Sequence, residues 1–80
     1  MENLKKYKDV FIKAFQIKEN QLKGLKYQDI DEWDSVGHMG LMTDLEEAFD
    51  IEMYIDDIID FSSFEKGMEI VGKYNIDING

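Results

Sequence analysis

Apolar residues recur at helical spacing in four stretches of the chain, and polar connections separate them. Leu4, Tyr7, Phe11 and Ala14 fall at i, i+3, i+7 and i+10, with Val10 and Phe15 widening the stripe. Lys5, Lys6, Lys8, Asp9 and Lys13 take the other side, which predicts a helix over 3–16 with one buried face. From about Ile17 to Asp34 the period fails, broken by Asn20 and Gly24. Leu22, Leu25 and Ile30 predict a wrapped loop pinned to the helices, and Trp33 reads as a buried anchor at its end. The strongest helix is predicted over 35–49, on a stripe of Val36, Met39, Met42, Leu45 and Phe49 flanked by Leu41 and Ala48. Asp34 or Ser35 supplies its N-cap. A short helix is expected over 56–60. Ser62 and Glu65 form a capping-box pattern before a last helix over about 63–74, with Phe64, Met68, Val71 and Tyr74 inward. Residues 75–80 read as a frayed tail. The expected fold is all-α, a small antiparallel bundle of three main helices plus one short helix, and one domain over 1–80.

Composition narrows this picture. A chain of 80 residues without cysteine has no disulfide or thiolate metal site to staple it, so its stability should be roughly 3–5 kcal/mol. No apolar run approaches the roughly 18 residues of a membrane span, and Met1 to Lys8 lacks the apolar block of a signal peptide. The expectation is a cytoplasmic monomer with no direct membrane insertion.

Net charge is −9, and its distribution is one-sided. All nine basic residues are lysines, seven of them in the first third, whereas 27–65 holds thirteen Asp and Glu and no Lys or Arg. Such a field repels nucleic acid and attracts basic protein surfaces.

Catalytic constellations are sparse. His38, the only histidine, follows Ser35 by one turn, but no orienting acid or oxyanion hole accompanies the pair, so a hydrolase is not expected. Asp29-Ile30-Asp31-Glu32-Trp33 begins like a calcium loop but lacks the glycine and the distal glutamate, and no metal site is expected. Gly37 and Gly40, costly within a helix, imply a close approach to the backbone by a neighbouring element or by a ligand. What remains is a serine at a helix N-terminus, where free N–H groups favour an anionic substituent. Ser35 is there either as a plain cap or as a chemical handle.

The run Trp33-Asp34-Ser35-Val36-Gly37-His38-Met39, followed by Leu41-Met42-Thr43-Asp44-Leu45-Glu46-Glu47-Ala48-Phe49 and Ile51, resembles the acyl carrier protein family. That family has an Asp-Ser-Leu attachment motif before a helix ending Leu-Glu-Glu-x-Phe, and the resemblance extends over nearly the whole chain. It implies a 4′-phosphopantetheine arm on Ser35, taken from coenzyme A by a separate phosphopantetheinyl transferase with magnesium. The arm's thiol would hold acyl or aminoacyl groups as thioesters. The chain would then be a carrier, not an enzyme, and its partners would be an acyl- or aminoacyl-loading ligase and a downstream acyltransferase or synthase. The acidic helix would dock on basic partner surfaces through Asp34, Asp44, Glu46, Glu47 and Asp50, with Val36 at the motif. Met39 and Met42 are either partner contacts or core. Val36 stands where the family has leucine. Trp33 and His38 depart from housekeeping fatty-acid carriers and are more similar to stand-alone carriers of specialised pathways, such as D-alanyl carriers or those of polyketide, peptide or surface-glycan synthesis. The alternative reading is an unmodified acidic adaptor or nucleic-acid mimic that covers a basic protein.

Overall fold

Each predicted helix forms, the one over 35–49 with the expected bounds and the others with ends shifted by one or two residues. A computed structural model describes residues 2–78. Among the described residues there are four α-helices and no strand: α1 (Glu2–Phe15), α2 (Ser35–Phe49), α3 (Ile55–Asp60) and α4 (Phe64–Gly72). A 3-10 turn, Glu19–Gln21, interrupts the long connection between α1 and α2.

Tyr7, Phe11 and Phe15 lie four residues apart and make the buried face of α1. Leu4, Val10 and Ala14 flank it, half-buried. The helix stops at Phe15 because Gln16 turns left-handed (φ 55°), which lets Ile17 N–H reach the Ile12 carbonyl at 3.3 Å. α2 ends the same way, with Asp50 at φ 54° and Ile51 N–H donating to the Glu46 carbonyl at 3.0 Å. Leu41, Met42, Leu45 and Phe49 make its buried face.

The expected inward stripe of α2 fails in its first turns. Val36 is 80% exposed and Met39 54%, so of the two methionines left open between core and surface, Met42 is core and Met39 is surface. Steps of three residues each fall about 60° short of a full turn, so the series 36, 39, 42, 45 winds around the helix instead of following one face. In the described structure only its later members face inward.

The start of α4 is also corrected. The Ser62–Glu65 capping box is not formed. Ser62 instead gives its carbonyl to Tyr27 N–H at 2.9 Å, while Phe64 N–H donates to the Leu25 carbonyl at 2.8 Å. This antiparallel bridge between the long loop and 62–64 holds Ser63 extended as the N-cap, its hydroxyl accepting from Lys66 N–H at 3.0 Å. The Glu65 carboxylate crosses to Gly24 N–H at 2.9 Å. α4 ends at Gly72, short of the expected Tyr74.

One aromatic-rich cluster joins these parts. Phe11 contacts the rings of Tyr7, Phe15, Trp33, Phe61 and Phe64 at 5.0–6.1 Å between centroids. Leu22 and Leu25 pin the long loop to it as expected, with Ile30 half-buried beside them. Gly67 sits where a Cβ would fall 2.1 Å from the Phe61 ring and 2.2 Å from the Tyr7 hydroxyl, so its lack of a side chain lets α4 close on α1. The Tyr7 hydroxyl donates to the Phe64 carbonyl at 2.7 Å, and burial, aided by the Glu65 charge, holds its pKa far above that of an ordinary tyrosine. The tail is docked where fraying was expected. Ile78 is buried, and the Asn3 amide donates to the Asp77 carbonyl at 3.0 Å. The last two residues of the expected tail, 79 and 80, lie outside the described residues.

α3 is held differently. Its one buried residue is Asp57, whose carboxylate accepts hydrogen bonds from the Lys73 ammonium and the Tyr74 hydroxyl. The Lys73 bond first, then the Tyr74 bond, holds the carboxyl below the usual carboxylate range. A carboxylate with a depressed folded-state pKa stabilises the fold above its unfolded pKa of about 4, and that stabilisation disappears as pH falls through the folded value. Asp57→Asn is therefore expected to melt below the wild type at pH 7, the gap closing once pH falls well below about 4. Paired melting curves across that range check the sign.

Candidate functional site

The end of the long loop is built to fix the start of α2. Lys26 N–H donates to the Asp29 carboxylate at 2.8 Å, Gln28 N–H to the Trp33 carbonyl at 3.0 Å and Trp33 N–H to the Ile30 carbonyl at 3.1 Å. These bonds close the turns while the Trp33 side chain goes into the core, 0% exposed, as its anchor role predicts. It packs on Phe11, Phe15 and Phe61, with centroids at 5.6, 5.3 and 6.5 Å.

Asp34 is the N-cap of α2. Its carboxylate accepts from Gly37 N–H at 2.8 Å, and its carbonyl accepts from His38 N–H at 2.7 Å. Ser35 is thereby relieved of capping. It is the first helical residue, exposed, and its hydroxyl makes no hydrogen bond among the described residues. The N–H groups of Ser35 and Val36 belong to the first turn and have no partner within the helix.

The two glycines separate. A Cβ on Gly37 would lie 1.9 Å from the Glu32 carbonyl oxygen, so the close approach implied by the sequence is that of the loop itself. Gly40 has nothing within 4 Å of such a Cβ and is exposed. The fold thus accounts for Gly37 and leaves Gly40 open to solvent.

Beside Ser35 lies a cleft of about 360 Å³, mainly apolar, between Ser35, His38 and Met39 of α2, Ile58 and Ile59 of α3, and Phe61. His38 does not serve Ser35. Its Nδ1 takes the Trp33 indole N–H at 2.9 Å and its Nε2 lies 2.8 Å from the Ile58 carbonyl, so both ring nitrogens are engaged.

The expected docking residues fall into two groups. Val36, Asp44, Glu47 and Asp50 are exposed, and Val36, Glu47 and Asp50 share the outward face of α2 opposite Leu45. Asp34 is exposed but occupied as the cap. Glu46 is half-buried, and its carboxylate accepts from Met53 N–H at 2.8 Å, tying the α2–α3 connection to the helix. Sequence reasoning missed the contribution of α3 to this surface: Tyr54, Ile55 and Ile59 are 73, 73 and 72% exposed. Ile59 lines the cleft with Ser35 and Met39, and the exposed acids Asp44, Glu47 and Asp50 lie toward the other end of α2. Among the described residues no three His, Asp or Glu side chains gather as a metal-ligand set, and no helix is long and apolar enough to cross a membrane.

No protein-family model matches the chain, and neither a curated protein nor a solved structure does.

Proposed function

We propose that this chain is a carrier protein of the acyl carrier type, bearing a 4′-phosphopantetheine arm on Ser35. The observation that carries the reading is the state of the Ser35 hydroxyl. It is exposed, without a hydrogen bond among the described residues and freed from capping by Asp34, at the mouth of an apolar cleft. A serine needed only to cap a helix would occupy the position that Asp34 fills. The residues present fit the arm: the Oγ is open to a phosphodiester, and the unpaired N–H groups of the first turn of α2 favour its negative charge. When bound, the arm supplies a thiol that holds acyl or aminoacyl groups as thioesters. The chain needs no base for that chemistry, and His38, engaged at both nitrogens, offers none.

On this reading the bundle has the antiparallel arrangement of acyl carriers, and the chain acts as a cytoplasmic monomer. Partners with a basic rim and an apolar centre meet Val36, Met39, Ile55 and Ile59, guided by Asp44, Glu47 and Asp50. They are the transferase that attaches the arm, a loading ligase and the acyltransferase or synthase that accepts the cargo.

Incubation with coenzyme A, magnesium and a broad-specificity phosphopantetheinyl transferase is expected to add the mass of one arm to the wild type and nothing to Ser35→Ala. An equal gain in both, or none in the wild type, overturns the proposal. Tight binding to a basic protein that survives Ser35→Ala, with no arm ever gained, would favour the acidic adaptor instead.

A further inference from the structure

α3 has little apolar burial to hold it. Of its six residues only Asp57 is buried and Ile58 half-buried, while Ile55 and Ile59 face outward. A helix this short is not stable by itself. Polar contacts fasten it at both ends. At the N-terminal end Lys73 and Tyr74 hold Asp57, and the Tyr74 hydroxyl also accepts from Tyr54 N–H at 2.9 Å. At the other end the only side-chain hydrogen bond to its backbone, among the described residues, is that of His38 to the Ile58 carbonyl.

The direction of that second fastening follows from chemistry. An indole N–H only donates, so the Nδ1 that faces it must be unprotonated and accept. The ring proton is then on Nε2, which donates to the Ile58 carbonyl at 2.8 Å. The imidazole is steadied by edge contacts with Tyr27 and Phe61 and lies nearly coplanar with the Trp33 indole, 15° between the planes and centroids 6.3 Å apart, as the in-plane hydrogen bond requires. One neutral side chain thus runs a relay from the buried end of the long loop to α3.

We propose that His38 is the positioning residue that sets where α3 sits, and hence the shape of the cleft beside Ser35 and of the apolar surface made by Met39, Ile55 and Ile59. The inference goes beyond the carrier reading, because the relay exists whether or not Ser35 is modified. His38→Phe keeps an aromatic ring and removes both hydrogen bonds, leaving the Trp33 N–H and the Ile58 carbonyl without this partner. His38→Gln offers an amide oxygen to accept and an amide nitrogen to donate.

The test is amide hydrogen exchange by NMR at pH 7 on the wild type and both variants. In His38→Phe the amides of Ile59, Asp60 and Phe61 are expected to exchange about 10- to 100-fold faster, while those of α1 and α4 keep their rates. His38→Gln should recover most of the protection. Unchanged α3 exchange in His38→Phe, or equal acceleration in every helix, overturns the proposal. The imidazole nitrogen shifts of the wild type give a check that needs no variant: a neutral ring protonated at Nε2 supports the relay, and one protonated at Nδ1 overturns it.

Discussion

Trp33→Ala is expected to leave the domain largely unfolded at 25 °C. The indole is fully buried and touches aromatic rings from α1, from the loop and from the segment before α4. Truncating a buried aromatic to alanine costs about 3–5 kcal/mol, through lost burial and the cavity left behind. A cysteine-free domain of this size has roughly the same amount to lose. The truncation also removes the donor to His38 Nδ1. Far-UV circular dichroism and urea titration measure the outcome. A cooperative transition within a few degrees of the wild-type Tm would show that Trp33 is not the anchor of the loop. Trp33→Phe separates the two roles, since it keeps most of the packing but not the hydrogen bond.

Substitutions at the two early glycines of α2 are expected to act in opposite directions. Gly37→Ala drives a Cβ to 1.9 Å from the Glu32 carbonyl oxygen and 3.1 Å from its carbon. Both are backbone atoms, so the loop that delivers Ser35 must shift, at about 1–3 kcal/mol. Gly40→Ala meets nothing within 4 Å and gains helix propensity, a stabilisation of up to about 1 kcal/mol. Urea denaturation of the two variants reads the signs directly. The displaced loop should also slow attachment of the arm in Gly37→Ala and leave Gly40→Ala modified at the wild-type rate. Equal stabilities for the two would remove the close loop–helix packing from the account.

How much of this was legible in the sequence differs from element to element. The bounds of α2 were legible, because a cap candidate, Asp34 or Ser35, opens a run of apolar residues at helical spacing that closes at Phe49. The burial of Trp33 was legible because it is the bulkiest apolar residue at the end of a loop already pinned by Leu22, Leu25 and Ile30. The stripe alone does not say that Val36 and Met39 face outward, because spacing gives an angle around a helix but not which end the rest of the chain covers. The start of α4 was hidden because a bridge to Lys26, far off in sequence, competes with the local capping box. Gly37 announced a close approach, but only the folded loop shows that its partner is Glu32. At the candidate site the sequence offered both Asp34 and Ser35 as caps, and the hydrogen bond from Gly37 N–H decides between them. The relay through His38 and the outward isoleucines of α3 depend on tertiary contacts that no local pattern encodes.

The central claim is that Ser35 carries an arm whose thiol holds cargo. Intact mass of the protein purified from the cell that makes it, before and after hydroxylamine, tests this most directly. The account predicts a species heavier than the bare chain by one phosphopantetheine, localised by fragmentation to the peptide containing Ser35. It also predicts a fraction heavier still, whose extra mass hydroxylamine releases as expected of a thioester. A chain found at its bare mass throughout growth, or modified on another residue, would contradict it.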